Sequence, residues 1–244
     1  MTYVIVGASS GLGRALAERF AAAGYDLVIV SSDARDLNVL ASDLAIRNGV
    51  RVSPVEANLG EEGDYPALIY DAACKLGDVQ GLVFSVGANA SEDDVNISID
   101  SAIRLARTNF LSVAAIIGKF MPMLLNRSGA AIVGFGSVSA TRGRSANVIY
   151  AAAKRALASY FESLRHAAAQ SDALVQFYVL GYLETNLSFG IPTLFPKASV
   201  GKLADRVLEG LNKDFGVAYF PGYWRFVCLV VRLLPWFVFK HLKF

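Results

Sequence analysis

Apolar positions along the chain follow two alternating rhythms. Short runs at Tyr3–Val6, Leu27–Val30, Val50–Val55, Gly81–Ser85, Ala130–Phe135, Leu174–Leu180 and Val217–Phe220 read as strands. Between them, residues 12–23, 34–48, 62–76, 98–125, 147–169 and 199–212 place apolar side chains at helical spacing. Strands that are apolar throughout, rather than on alternate residues, are covered on both faces, which is the habit of parallel sheets flanked by helices. Right-handed crossovers then predict a single doubly wound α/β domain over residues 1–222. No internal repeat or low-complexity linker divides the chain.

Two stretches break the pattern. Residues 181–198 lack periodicity yet hold Leu187, Phe189, Ile191, Leu194 and Phe195, and an irregular segment of this length reads as a substrate lid. Residues 223–244 form an apolar and basic C-terminal tail, read as helical.

Composition narrows the partners. The chain has 244 residues, 54% hydrophobic and 18% charged, with a net charge of +2. Its basic residues are scattered, so the dense cationic face of a nucleic-acid binder is absent and no nucleic-acid partner is expected. Cys74 and Cys228 form no C-x-x-C pair, and His166 and His241 are the only histidines, which leaves no material for a disulfide framework or a metal site. The first strand begins almost at Met1 without a basic, apolar leader, so a cytoplasmic location is expected.

Chemistry enters at the ends of the strands. The first strand runs into Gly7-Ala8-Ser9-Ser10-Gly11-Leu12-Gly13 and then a helix. Such a turn lets the backbone approach a pyrophosphate, which the unpaired N–H groups and positive dipole end of the helix attract. Tyr150 and Lys154 stand four apart in a predicted helix and so share a face. An ammonium there favours the phenolate, lowering a phenol pKa that is near 10 when free and making it useful in proton transfer. Ser137 ends the fifth strand, where open parallel sheets border their ligand crevice. Asn109 lies inside the predicted helix 98–125, an unusual place for a residue that prefers caps and turns.

With the glycine turn and the Asn109, Ser137, Tyr150, Lys154 set in this order, the sequence resembles the short-chain dehydrogenase/reductase family to about residue 220. The resemblance implies a Rossmann-type fold and hydride exchange between a nicotinamide cofactor and a ketone or secondary alcohol. It implies that Tyr150 exchanges a proton with the substrate oxygen, that Ser137 orients that oxygen, and that Lys154 holds the nicotinamide ribose and lowers the phenol's pKa. Asn109 would fix a water that relays protons to Lys154. Cofactor contacts would come from Gly7, Ser9, Ser10, Gly11, Leu12, Gly13, Ser31, Ser32, Asn58, Leu59, Ser85, Gly87, Tyr150, Lys154, Gly181 and Thr185. A homodimer or homotetramer is also implied.

The chain departs from the family at several contacts. Asn-Asn-Ala-Gly after the fourth strand is Phe84-Ser85-Val86-Gly87, the adenine-holding Asp is Asn58, and Pro-Gly after the sixth strand is Leu180-Gly181. After the second strand stands Val30-Ser31-Ser32-Asp33-Ala34-Arg35, with no acid at 31 or 32 to accept a ribose diol. NADP(H) is therefore expected, with NAD(H) as the alternative should Asp33 face the ribose.

The tail sharpens the substrate. If helical, Arg225, Arg232, Lys240 and Lys243 gather on one side and Trp, Phe and Leu cover the rest, as in an interfacial membrane helix. The other reading packs the tail on a second subunit or over the active site. With Arg142-Gly-Arg144-Ser-Ala-Asn147 and Phe220-Pro-Gly-Tyr-Trp-Arg225, the chain is also similar to bacterial reductases of lipid-linked sugars, such as the reductase partner in decaprenylphosphoryl-ribose epimerisation. Arg142 or Arg144 is then a candidate for a substrate phosphate. The expectation is a reductase of a lipid-like or lipid-linked ketone, peripheral on the inner face of the plasma membrane. Two alternatives stand beside it: a soluble 3-keto or hydroxysteroid-type dehydrogenase, and a cofactor-binding sensor without catalysis, against which the intact Ser137, Tyr150 and Lys154 argue.

Overall fold

The computed structural model describes all residues except 186–189, 191, 192, 194, 243 and 244. Four of the five apolar residues named for the lid, and Lys243 of the tail, lie outside the described residues. The first half of the chain alternates β1 (Thr2–Val6), α1 (Gly11–Ala22), β2 (Asp26–Ser31), α2 (Ala34–Asn48), β3 (Val52–Glu56), α3 (Tyr65–Leu76) and β4 (Val79–Phe84). It continues through α4 (Ile99–Ala106), α5 (Ser112–Leu124), β5 (Ala131–Ser137), α6 (Val148–Ala167), β6 (Leu174–Leu180), α7 (Val200–Gly210) and β7 (Val217–Phe220). Two helices close the tail, α8 (Trp224–Leu233) and α9 (Trp236–Phe239).

The seven strands form one parallel sheet in the order β3-β2-β1-β4-β5-β6-β7. Strand order reverses between β1 and β4, so helices leave these two strands toward opposite faces and a crevice opens beyond their carboxyl ends. Side chains of β1 alternate between two cores. Val4 and Val6 face α3, α5 and α6, whereas Tyr3 and Ile5 face α1, α2 and α7. The edge position of β3 explains its tolerance of Pro54, which has no N–H to give to a neighbour.

The helix expected over 98–125 is divided. Arg107–Leu111 form a π-helical turn between α4 and α5, and the Ser112 N–H bonds back to the Arg107 carbonyl. Such a turn shifts the helical ladder by one residue and leaves a carbonyl to be satisfied otherwise. The Asn109 side chain does so, its Nδ2 donating to the Leu105 carbonyl at 2.9 Å. The polarity of Asn109, a poor helix-interior residue, is thus absorbed by the irregularity it sits in.

The seat of α6 on the sheet is set by glycine. A Cβ on Gly134 of β5 would stand 2.3 Å from the Phe161 ring, and one on Gly136 would stand 2.6 Å from Phe177. Close approach here fixes the height of α6 above β5. Gly134→Ala is therefore expected to destabilise the protein by about 1–3 kcal/mol through overpacking, read as a lowered denaturant midpoint, and to reduce turnover by tilting α6.

Candidate active site

The Gly-rich turn leaves β1 through Gly7, whose φ of +91° suits glycine alone, and a Cβ there would press on the Val86 amide at 3.0 Å. Gly13 is set back beneath the turn, where a Cβ would lie 1.8 Å from the Gly7 carbonyl oxygen. Its part is close packing of α1 under the turn rather than lining the cleft. Ser10 caps α1 with no side-chain hydrogen bond, so the first N–H groups of the helix are left to a ligand. The Ser85 hydroxyl donates to the Val6 and Gly7 carbonyls, at 2.9 and 3.3 Å, and closes the turn from β4. Gly7, Ser9, Ser10, Gly11, Leu12, Ser31, Ser32, Asn58, Leu59, Ser85, Gly87, Gly181 and Thr185 all line one cleft of about 1660 Å³, together with Ser137, Tyr150 and Lys154.

Lys154 is the deepest of these groups, 3% exposed. Its Nζ donates to the Val86 carbonyl at 2.9 Å and the Phe135 carbonyl at 3.2 Å, and lies 5.9 Å from the centre of the Tyr150 ring. Burial lowers its pKa from 10.5 to about 8. Burial also raises the Tyr150 phenol above its ordinary value, while hydrogen bonding with Ser137 and the charge on Arg144 pull it part of the way back. The direction expected from the four-residue spacing is thus reversed in the protein alone. Withdrawal from water outweighs the nearby cations, and the phenol is held in its protonated form. The Ser137 Oγ accepts from the Ser139 N–H at 3.2 Å and from the Ser139 hydroxyl at 2.8 Å, which fixes it at the end of β5.

Asn109 is fully buried and stands behind the cleft wall. Its Nδ2 donates to the Ala88 carbonyl at 2.9 Å as well as to Leu105, and its Oδ1 accepts from the Ala88 N–H at 3.2 Å. One amide hydrogen and the Oδ1 therefore hold Ala88 in the segment after β4, and the other hydrogen goes to Leu105 of α4.

Asp93 was not legible in the sequence. It lies in the run Ser91-Glu-Asp-Asp, which reads as a solvated loop, yet it is 3% exposed. Its two carboxylate oxygens accept from the N–H groups of Ile149 and Tyr150, at 2.8 and 2.9 Å. It thus caps α6 from a distant loop, in place of Asn147, whose side chain makes no cap. A cap 56 residues upstream has no local sequence signature.

The tail completes the cleft. Trp224, Val227, Cys228 and Val231 of α8 line it too, with α8 packed beside the loop that follows β5. Arg142 is held by the tail: its Nη1 donates to the Val231 carbonyl at 3.1 Å and to the Leu234 carbonyl, and its guanidinium lies 4.0 Å from the centre of the Phe239 ring. A Cβ on Gly181 would collide with the Trp224 indole at 1.8 Å, so the glycine after β6 makes room for the tail.

Residues 1–192 match the sequence profile of the short chain dehydrogenase family. The chain belongs to the short chain dehydrogenase family. Family members interconvert CH–OH and C=O groups. Among curated relatives, dehydrogenase/reductase SDR family member 7B of Bos taurus is 30% identical over 195 residues, 78% of this chain and 60% of the relative. The chain therefore spans under two thirds of that relative's length. Two solved structures cover 99% of the chain. A short-chain dehydrogenase from Sphingobium yanoikuyae, in complex with NADPH, is 26% identical with a TM-score of 0.81 over 96% of its own length. A bulky-bulky ketone specific alcohol dehydrogenase from Comamonas testosteroni is 25% identical with a TM-score of 0.80 over 94% of its length. The narrower likeness to reductases of lipid-linked sugars has no support among these relatives.

The cradle fits a dinucleotide: an uncapped helix start, a glycine turn that a Cβ would obstruct, and a buried ammonium on the same cleft. No cluster of metal-ligating side chains occurs among the described residues.

The buried ammonium has a measurable signature. A cation whose folded-state pKa is lowered binds fewer protons than the unfolded chain between about 8 and 10.5, so stability rises with pH across that window. Wild type should gain up to roughly 3 kcal/mol relative to Lys154→Met between pH 8 and pH 10.5. Paired denaturant titrations test this, and parallel curves for the two proteins would refute it.

Proposed function

We propose that this chain is an NADP(H)-dependent reductase that converts a ketone to a secondary alcohol on a lipid-like or lipid-linked substrate. The observation that carries the reading is the meeting of Tyr150, Ser137 and Lys154 on one cleft, with the phenol held protonated. A protonated phenol beside a hydroxyl suits proton donation to a carbonyl oxygen. Hydride for the carbonyl carbon would come from a nicotinamide cofactor held in this cleft. Ser137 orients the oxygen, and Tyr150 gives it a proton as charge develops there. Lys154, poised near pH 8, holds the ribose and restores the proton to the phenol. Asn109 acts through position, fixing Ala88 and the segment that borders Lys154.

The end of β2 favours NADP(H). Ser31 and Ser32 line the cleft, and the Ser31 hydroxyl donates to the Ser9 hydroxyl at 2.7 Å. Asp33 accepts from the Asp36 N–H at 3.0 Å and so caps α2. No carboxylate from this turn lines the cleft to repel a 2′-phosphate. The Sphingobium yanoikuyae structure, 26% identical, is itself a complex with NADPH. NAD(H) remains the second choice.

The tail supports a working place at a membrane surface. While α8 turns Trp224 and Cys228 inward, Phe226, Leu229, Leu233, Trp236 and Phe237 lie exposed, Leu233 to 71%. Arg225, Arg232 and Lys240 flank them, and residues 215–244 contain no Asp or Glu. An apolar face ringed by cations without acids suits an anionic lipid surface. No helix among the described residues is long and apolar enough to cross a membrane. In this arrangement the cleft wall and the lipid-facing surface are two sides of one helix.

Two measurements test these readings. Tyr150→Phe should lower kcat by about 10²–10⁴-fold while NADPH binding, followed by fluorescence, is retained; undiminished turnover would sink the mechanism. Wild type should float with vesicles containing anionic lipid. Leu233→Asp with Trp236→Asp should cut the floated fraction about ten-fold, and equal flotation of the two proteins would remove the membrane role.

A further inference from the structure

We infer that Arg144 is an anion anchor in the substrate half of the cleft, so that the preferred substrate carries a carboxylate or phosphate close to its reacting carbonyl. The inference rests on the reductase reading only for calling that ligand a substrate.

Arg142 and Arg144 leave the same loop between β5 and α6, and their surroundings separate them. The Nη1 of Arg142 is engaged by two carbonyls of the tail, and its guanidinium lies on the Phe239 ring. Arg144 lines the cleft, and its Nε is sealed from solvent without a hydrogen-bond partner. No described carboxylate pairs with it. Arg144 shares the cleft lining with Ser137 and Tyr150, and its charge draws the phenol pKa downward.

A guanidinium N–H sealed from water without an acceptor is unfavourable by itself, and an anionic ligand would supply that acceptor to the half-buried Arg144. The lining residues agree in sign. Arg104, Arg142, Arg144 and Lys154 face the cleft, against Glu92 alone among acids, and Glu92 is exposed and engaged with Ser91. The cofactor's phosphates do not account for Arg144. They belong at the turn after β1, whereas Arg144 lies in the loop after β5, with β4 between the two strands. In the same cleft, Trp224, Val227 and Val231 offer an apolar wall. The ligand that fits both sides is an amphiphile: an acidic group held by Arg144 and a hydrocarbon part along α8.

Isothermal titration of the full chain, with and without saturating NADPH, can use three probes: octanol, octanoate and octyl phosphate. In wild type at least one anion should bind about ten-fold more tightly than octanol, as one charge-assisted contact implies. Arg144→Met should abolish that advantage and leave octanol unchanged, and Arg144→Lys should keep part of it. Because the Arg144 Nε makes no internal hydrogen bond, neither variant removes a fold contact of that atom, and circular dichroism verifies folding. The ranking of octanoate against octyl phosphate tells a carboxylate ligand from a phosphate one. Equal binding of octanol and both anions in wild type, uniform weakening of all three in Arg144→Met, or no measurable binding of either anion would overturn the assignment. Since no turnover is needed, a failure of the reductase reading would show separately, as absent NADPH binding or activity.

Discussion

The ammonium of Lys154, held between the Val86 and Phe135 carbonyls, is the interaction on which the rest of the site depends. Val86 follows β4 and Phe135 lies in β5, so one side chain from α6 ties together two strand ends and the helix above them. The tie places a cation in a nearly dry position, where its proton is held weakly. That combination is unfavourable for stability and useful for proton transfer, a trade common where sites are built for chemistry. It also requires α6 to sit low on the sheet, and Gly134 under Phe161 permits this.

The segment after β4 is the least regular part of the cleft wall, yet it is fastened at three places. Val86 meets Lys154, Ala88 is clasped in both directions by Asn109, and Asp93 caps the start of α6 just where Tyr150 begins its turn. Each fastening joins groups far apart in sequence. Position of the phenol therefore depends on a loop that contributes no reacting atom, and on a π-helical turn whose function is to aim one amide.

The tail gives the cleft a second character. The side formed by β5 and its following loop is polar and cationic, whereas α8 offers Trp224, Val227 and Val231. Arg142 joins the two by bonding the carbonyls at the end of α8 and lying on Phe239. Gly181 leaves space for the indole that begins this wall. The cleft thus has a charged part and an apolar part, and the outward face of the same helix is exposed and apolar.

By itself the sequence determined the order of strands and helices, the parallel sheet, the glycine turn and the spacing of Ser137, Tyr150 and Lys154. These follow from periodicity and local backbone chemistry, which act over a few residues. Only the tertiary structure decided what distant contacts decide. Burial reversed the direction of the Tyr150 shift expected from Lys154, because desolvation depends on everything packed around a group. It split the helix at Asn109, withdrew Gly13 from the cleft, assigned Asp93 to α6 and Asp33 to α2, and engaged Arg142 while leaving Arg144 open. A charged residue in a loop reads the same in sequence whether it is solvated, paired or waiting for a ligand. The difference lies in which surfaces the fold brings against it.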